Sequence, residues 1–215
     1  MIAGHIHHAL AQVHELQQKI LEKQRFKGYS GRARALSGTV CLIAAAAMTS
    51  TPYPKTLPAQ VVAWGAVFAC AMLLNFGAML YWFLFDPAAK RDFRRLKPVI
   101  DVIPPLLVGG VLTVTLMQQG LYSHLYGLWM CLAGLANLAM RHVLPKRIWL
   151  IGLFYIMSGM IFLVIKPVPF LNAWPAGVLF FLGEWAAGVI LHFDESRNHS
   201  FTDFVFRSGK GHVEA

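Results

Sequence analysis

Long apolar stretches separated by short polar segments occupy the chain from residue 35 to residue 192. A helix needs about 20 mainly apolar residues to cross the hydrocarbon core of a bilayer. Six stretches fit this pattern: Ala35–Ser50, Pro58–Phe85, Val99–Met117, Leu121–Met140, Ile148–Ile165 and Ala173–His192. The pattern therefore predicts an all-α integral membrane protein, built as a bundle of six transmembrane helices.

The first 34 residues are polar, with apolar side chains spaced as on one face of a helix. Ile6, Val13 and Ile20 recur every seven residues, with Ala9 and Leu16 between them. This spacing predicts an amphipathic helix of about two heptads. The helix either lies on the membrane surface or pairs with another helix, in a second copy of the chain or in a membrane-protein partner. We favour pairing.

Basic residues predict the orientation of the bundle. If the N-terminus is cytoplasmic, 17 of the 19 Lys and Arg residues fall on the cytoplasmic side, and only Lys55 and Lys166 fall outside. Cytoplasmic loops of membrane proteins carry an excess of Lys and Arg. We therefore predict a cytoplasmic amphipathic arm (residues 1–34), a six-span membrane domain (35–192) and a cytoplasmic tail (193–215).

Composition supports the membrane class, and this class determines how the net charge is interpreted. The chain is 57% hydrophobic and 13% charged, whereas a soluble domain is about 25% charged. The net charge of +9 would suggest nucleic acid as a partner of a soluble protein. In a membrane protein, basic residues keep loops on the cytoplasmic side, and this accounts for the charge here. We therefore expect the lipid bilayer, and no nucleic acid, as a partner.

Catalytic patterns such as HExxH and GxSxG do not occur in the sequence, so we predict that the protein is not an enzyme.

One carboxylate, Glu184, lies inside the last predicted span, in the run FFLGEWAAGVILHFDE. At 1.5 Å per residue it lies about 12 Å from the cytoplasmic end of that span. An ionised acid near the middle of a bilayer is costly unless it is paired, neutralised or hydrated. Glu184 is therefore expected to face the bundle interior in its protonated form. Gly177 and Gly188 share its face and would let another helix approach closely.

Asn75, at a similar depth in the second predicted span, is the candidate partner of Glu184. An amide offers both a donor and an acceptor, so it can bond a carboxylic acid in either protonation state. The pair has two interpretations: an interhelical hydrogen bond worth about 0.6 kcal/mol, or a site for a proton, a cation or a ligand. Glu184 and Asn75 are therefore the candidate ligand- or ion-binding residues.

The third predicted span contains Pro104 and Pro105, which cannot donate backbone hydrogen bonds. Proline inside a span is tolerated when neighbouring groups satisfy the freed carbonyls. We therefore expect a kinked or broken helix at this position. Broken helices line the binding sites of many transporters, but they also occur as packing kinks.

Histidines near the N-terminus raise the question of a metal. His5 and His8 share a helix face, but two ligands do not make a zinc or copper site. A haem would require histidines at matched depth within spans, whereas His124, His142 and His192 lie only at span ends. We therefore predict no metal and no cofactor.

A resemblance to a known group follows from three stretches: "PPLLVGGVLTVTLMQQGLYSHLYGLWMCLAGLANL", "RHVLPKR" and "IGLFYIMSGMIFLV". From Pro104 to Gly188 the chain resembles a loose group of uncharacterised bacterial membrane proteins, often encoded beside a winged-helix regulator. The shared features are a proline-led span, an outer turn containing Gly-Leu and later spans marked by glycine. The group has no assigned catalytic or binding residues. The resemblance implies a bacterial inner membrane and a regulatory or accessory role.

These observations lead to one main functional hypothesis and two alternatives. The main hypothesis is a non-enzymatic accessory or sensory membrane protein that acts through its N-terminal helix, by self-association or by binding a partner. The first alternative is a small proton- or cation-coupled transporter or channel that uses Glu184. The second is a membrane-bound metal or redox module.

Overall fold

A computed structural model of the chain describes residues 30–85, 97–140, 144–165 and 168–195. Within these ranges all regular secondary structure is helical. The α-helices are α1 (Gly31–Thr49), α2 (Leu57–Phe85), α3 (Lys97–Gln118), α4 (Leu125–Ala139), α5 (Ile148–Met160) and α6 (Trp174–Glu195). A 3₁₀ turn, Tyr122–His124, precedes α4, and α5 continues as a π-helical segment, Ile161–Ile165.

Each predicted span coincides with one of these helices. With the π-helical segment counted as part of α5, no boundary differs by more than four residues. The prediction of an all-helical bundle is therefore confirmed for the described residues. Three segments in these ranges are long and apolar enough to cross a membrane: Leu57–Gly77, Ile148–Ile165 and Trp174–Phe193. The segment Val102–Gln118 is apolar but shorter. Three candidate spans support the membrane class, and a membrane crossing by all six helices stays a prediction.

The start of α1 changes the predicted boundary between arm and bundle. Ser30 caps α1, since its Oγ accepts a hydrogen bond from the backbone N–H of Ala33 at 3.4 Å. The helix begins at Gly31, so the last four residues of the predicted arm, including Arg34, belong to α1. The rest of the predicted amphipathic helix, with His5 and His8, lies outside the described residues, as does the tail after residue 195.

Consecutive helices run antiparallel, and their packing follows the order α2, α1, α6, α5, α4, α3. The most extensive packing is between α1 and α6 and between α4 and α5. One end of the bundle, named here the Arg34 end, holds the starts of α1, α3 and α5 and the last residues of α2, α4 and α6. The opposite end is named the Tyr126 end.

Glycine brings the backbones of α1 and α6 into direct contact. A β-carbon added to Gly31 would lie 2.5 Å from the carbonyl oxygen of Gly188, and one added to Gly188 would lie 2.6 Å from that of Gly31. Further along α1, a β-carbon on Gly38 would lie 2.9 Å from the β-carbon of Glu184. Larger side chains at these positions would force the helices apart, so the close approach depends on glycine.

The pair α4 and α5 is built in the same way. A β-carbon on Gly134 would lie 2.6 Å from the carbonyl oxygen of Gly152, and one on Gly127 would lie 2.9 Å from that of Gly159. The two glycine-lined pairs meet where α5 packs against α6. The centre of the bundle is therefore made of four closely packed helices, with α2 and α3 at its flanks.

The third predicted span is a continuous helix. α3 extends from Lys97 to Gln118 with Pro104 and Pro105 inside it, so it is not broken at the prolines. It packs against α4, where the indole N–H of Trp129 donates to Thr113 Oγ1 at 2.9 Å. The expectation of a broken helix is therefore wrong, and a kink at the prolines stays a prediction.

Buried aromatic side chains hold the helices together at the Tyr126 end. The Tyr126 hydroxyl accepts a hydrogen bond from Trp64 Nε1 at 3.0 Å and donates one to the carbonyl of Phe170 at 2.6 Å. Tyr126 is fully buried, and its ring packs against those of Trp64, Trp129 and Phe170. These contacts join α2, α4 and the loop before α6, and they leave the hydroxyl satisfied.

Candidate functional site

The carboxylate of Glu184 on α6 is bound by Arg34 on α1. Arg34 Nε donates to Oε2 at 2.7 Å, and Arg34 Nη2 donates to Oε1 at 3.1 Å. The two side chains are only 5% and 16% exposed. Two parallel hydrogen bonds between a guanidinium and a carboxylate are the strongest arrangement these groups form. The two residues therefore make a buried, bidentate ion pair.

The local structure of α1 places Arg34 at this point. Arg34 lies one turn after the helix cap and four residues before Gly38, so the two share a face. Since Gly38 rests against the β-carbon of Glu184, that face is held directly on α6. The same close approach that glycine permits brings the guanidinium to the carboxylate.

Two further helices contribute polar groups to the ion pair. Arg34 Nη2 donates to Asn137 Oδ1 on α4 at 2.7 Å. The Tyr155 hydroxyl on α5 lies 3.1 Å from Glu184 Oε1 and 3.3 Å from the carbonyl oxygen of Phe180, and these two acceptors share its single proton. Arg34, Asn137, Tyr155 and Glu184 are named here the Arg34–Glu184 cluster. The cluster joins α1, α4, α5 and α6 at one point.

The cluster gives Glu184 a partner that the sequence did not indicate. The sequence predicts a neutral acid, because an isolated carboxylate at that depth would be ionised at high cost. The carboxylate is not isolated, since Arg34 Nε lies 2.7 Å from its Oε2. Glu184 does face the bundle interior, as expected, and it does so as the partner of a buried cation.

The hydrogen bond predicted between Glu184 and Asn75 is not formed. Asn75 is buried on α2, and its Nδ2 donates to Ser37 Oγ at 3.2 Å and to the carbonyl of Ala71 at 2.9 Å. Ser37 Oγ in turn donates to the carbonyl of Arg34 at 2.8 Å. Asn75 therefore reaches the cluster only through the side chain of Ser37 and the backbone of α1.

The acceptor atom of Asn75 is a second feature of this region. Asn75 is 8% exposed, and its Oδ1 accepts no hydrogen bond from the described part of the chain. A buried carbonyl oxygen without a donor is unfavourable, because it has lost its hydrogen bonds to water. The amide is oriented by its two donated bonds, so the unsatisfied atom is the oxygen.

Arg34 and Tyr155 are absent from the predicted site for different reasons. Arg34 belongs in the sequence with the basic residues of the arm, because it precedes the first apolar run. Its spacing did carry a signal, since Arg34, Ser37, Cys41 and Ala45 follow one helix face and all four are buried. Tyr155 lies in an apolar run in which nothing distinguishes its hydroxyl from that of an interfacial tyrosine.

The hydrogen bonds within the cluster limit what the Glu184 carboxylate can bind. The Glu184 carboxylate accepts three hydrogen bonds from two residues. Within the ranges that the structure describes, no group of three His, Cys, Asp or Glu residues could hold a metal ion. The arrangement is suited to joining helices.

Comparison with known proteins gives no match to this chain. No protein-family model, no curated protein and no solved structure matches it. The resemblance of Pro104–Gly188 to a bacterial group therefore stays an expectation. The cluster and the sequence are the grounds on which a function can be proposed.

Proposed function

We propose that this chain is a non-enzymatic integral membrane protein with an accessory or sensory role, which acts through self-association or through a membrane-protein partner. The observation that carries the proposal is the bonding of Glu184. Its carboxylate is engaged by Arg34 and Tyr155, so the acid inside the predicted membrane domain serves to hold helices together. The long polar segment before α1 is then the part of the chain that we propose contacts a partner.

The N-terminal segment is coupled to the cluster by the chain itself. Residues 1–29 lead directly into Ser30 and Gly31, and Gly31 is in backbone contact with Gly188 of α6. Arg34 follows within one helical turn. A partner that displaced the start of α1 would therefore act on the Arg34–Glu184 pair. This coupling is the basis for a sensory role.

The proposed setting is a bacterial inner membrane, with six spans and both termini in the cytoplasm. The alternating direction of the helices supports this topology, because the start of α1 and the last residues of α2, α4 and α6 lie at the Arg34 end. In the sequence, 17 of the 19 Lys and Arg residues precede or begin α1, lie between α2 and α3 or between α4 and α5, begin α3, or follow α6. Such a bias favours retention of that end on the cytoplasmic side.

The test is copurification from the native membrane after removal of Met1–Gln24. The shortened protein should fold and insert but lose its partners or its self-association. Replacing Ile6, Val13 and Ile20 by glutamine should have the same effect, because it removes the apolar stripe alone. Replacing the polar residues Gln17 and Gln18 by alanine is the matched control. Unchanged association of the shortened protein would contradict the proposal.

A proton- or cation-coupled transporter is the second candidate, and the unsatisfied Asn75 Oδ1 favours it. A buried acceptor close to an intramembrane ion pair is suited to a donor such as water, an ammonium group or a hydrated cation. In this role Glu184 would have to leave Arg34 during each cycle. Glu184→Gln would then abolish flux into liposomes while the protein stays folded. Wild-type protein that conducts nothing across a broad panel of ions and solutes would exclude this candidate.

A further inference from the structure

The turn before α5 presents two cations side by side at the Arg34 end. Lys146 and Arg147 are both exposed, and neither side chain forms a hydrogen bond or ion pair among the described residues. The turn is held in place, because the flanking Leu144 and Ile148 are 7% and 0% exposed. The backbone N–H of Ile148 also donates to the carbonyl of Pro145 at 2.9 Å. The cations therefore project from a fixed position.

An exposed apolar stripe continues from the cations along α5. Its residues, each between 43% and 80% exposed, are Trp149, Leu150, Leu153, Met157, Met160, Ile161 and Val164. The spacing of three and four residues keeps them on one face for the length of the helix. Trp149, directly after the cations, is of the residue type that occupies the boundary between headgroups and acyl chains.

The charge of this region is not balanced locally. Residues 140–165 contain Arg141, Lys146 and Arg147 and no Asp or Glu. Two cations above a long apolar stripe match the two parts of a phospholipid, an anionic headgroup and an acyl chain. A soluble anion would match only the cations, and a neutral phospholipid only the stripe.

We propose that Lys146, Arg147 and the stripe below them form a binding site for an anionic phospholipid. The anionic phosphate of the lipid faces Lys146 and Arg147, while an acyl chain lies along Trp149, Leu150 and Leu153. The site belongs to the outer surface of α5 and is independent of the Arg34–Glu184 cluster. It holds whether the protein acts by association or by transport.

The test uses full-length protein in nanodiscs and brominated lipids, which quench nearby tryptophan. Quenching of Trp149 is isolated as the difference between wild type and Trp149→Phe. At equal mole fraction, brominated phosphatidylglycerol should quench Trp149 more strongly than brominated phosphatidylcholine. The double variant Lys146→Gln/Arg147→Gln should lower this preference by about 30-fold, because each cation near an anionic surface contributes about fivefold.

Two controls distinguish the lipid site from a general effect of positive charge and from binding of a free anion. The variant Arg207→Gln/Lys210→Gln removes the same charge from the tail and should keep the preference. Inorganic phosphate, compared with chloride at equal ionic strength, should not displace the lipid. The proposal is overturned by equal quenching from both lipids, by a preference that survives in Lys146→Gln/Arg147→Gln, by equal loss in the tail variant, or by full competition from phosphate.

Discussion

The Arg34 guanidinium of α1 holds the Glu184 carboxylate of α6 through hydrogen bonds of 2.7 and 3.1 Å, although 150 residues separate the two in the chain. The two charges meet where Gly38 brings α1 against the β-carbon of Glu184. Because a buried charge is tolerated only when it is paired, each residue makes the burial of the other possible. The pair thereby ties the first helix of the bundle to the last.

Close packing of α1 on α6 should be sensitive to a single methyl group. Gly188→Ala places a β-carbon against the backbone of Gly31, which we expect to destabilise the bundle by about 1–3 kcal/mol. Gly65→Ala on α2 is the matched control, because nothing lies within 4 Å of a β-carbon there. Alanine also favours a helix over glycine by about 1 kcal/mol, so the control should be neutral or stabilising. Unfolding in mixed micelles measures both variants, and equal losses would contradict the packing.

The hydroxyl of Tyr155 should contribute measurably to the stability of the cluster. Tyr155→Phe removes the donor to Glu184 Oε1 and keeps the ring, so we expect a loss of about 1.5–3 kcal/mol, as for hydrogen bonds to charged groups. Tyr122→Phe removes a half-buried hydroxyl whose loss breaks no hydrogen bond that the structure shows, and should change stability little. The unfolding free energies of the two variants, measured under one set of conditions, give the comparison. A Tyr155→Phe variant as stable as wild type would show that this hydrogen bond contributes nothing.

Asn137 and Asn75 should respond differently to the same substitution. Asn137→Leu removes the acceptor of Arg34 Nη2 and should destabilise the protein by about 1–3 kcal/mol. Asn75→Leu removes two donated bonds but also the buried oxygen that accepts none, so its effect should be smaller. Comparison of the two unfolding midpoints checks this order. The reverse order would place Asn75, and not Asn137, in the stabilising cluster.

Cys41 provides a probe of the α1–α6 interface. It is 7% exposed, and its backbone lies against Gly177 of α6. In a variant with Cys70 and Cys131 replaced by alanine, Cys41 should react slowly with a membrane-permeant maleimide. Glu184→Gln should raise the labelling rate, because α1 loses its charged contact with α6. A rate that is the same with and without Glu184→Gln would show that the ion pair does not hold the interface closed.

The helices could be predicted from the sequence because their boundaries depend on local signals. Apolar runs limited by proline, glycine and charged residues give α2 and α5 to within one residue at each end of their helical segments. The inward direction of Glu184 could also be predicted, since the cost of exposing an acid to lipid does not depend on its partner.

The partners of Glu184 could not be predicted from depth alone. Asn75 has a suitable depth, but its buried face is turned towards Ser37 of α1. The direction of a side chain around the helix axis depends on which helices are neighbours, and that order was not known from the sequence. The sequence places Arg34 in the cytoplasmic arm, because a cation before an apolar run usually remains outside the membrane.

A double-mutant cycle on Arg34 and Glu184 tests the central claim most directly. The variants are Arg34→Met, Glu184→Gln and both together, and the measured quantity is the free energy of unfolding in mixed micelles. Each single substitution leaves a buried polar group without its partner and should destabilise the protein by about 3–5 kcal/mol. The double variant should be no less stable than either single one, so the coupling energy should be about 3 kcal/mol or more. Strictly additive losses would show that the two residues do not hold α1 and α6 together.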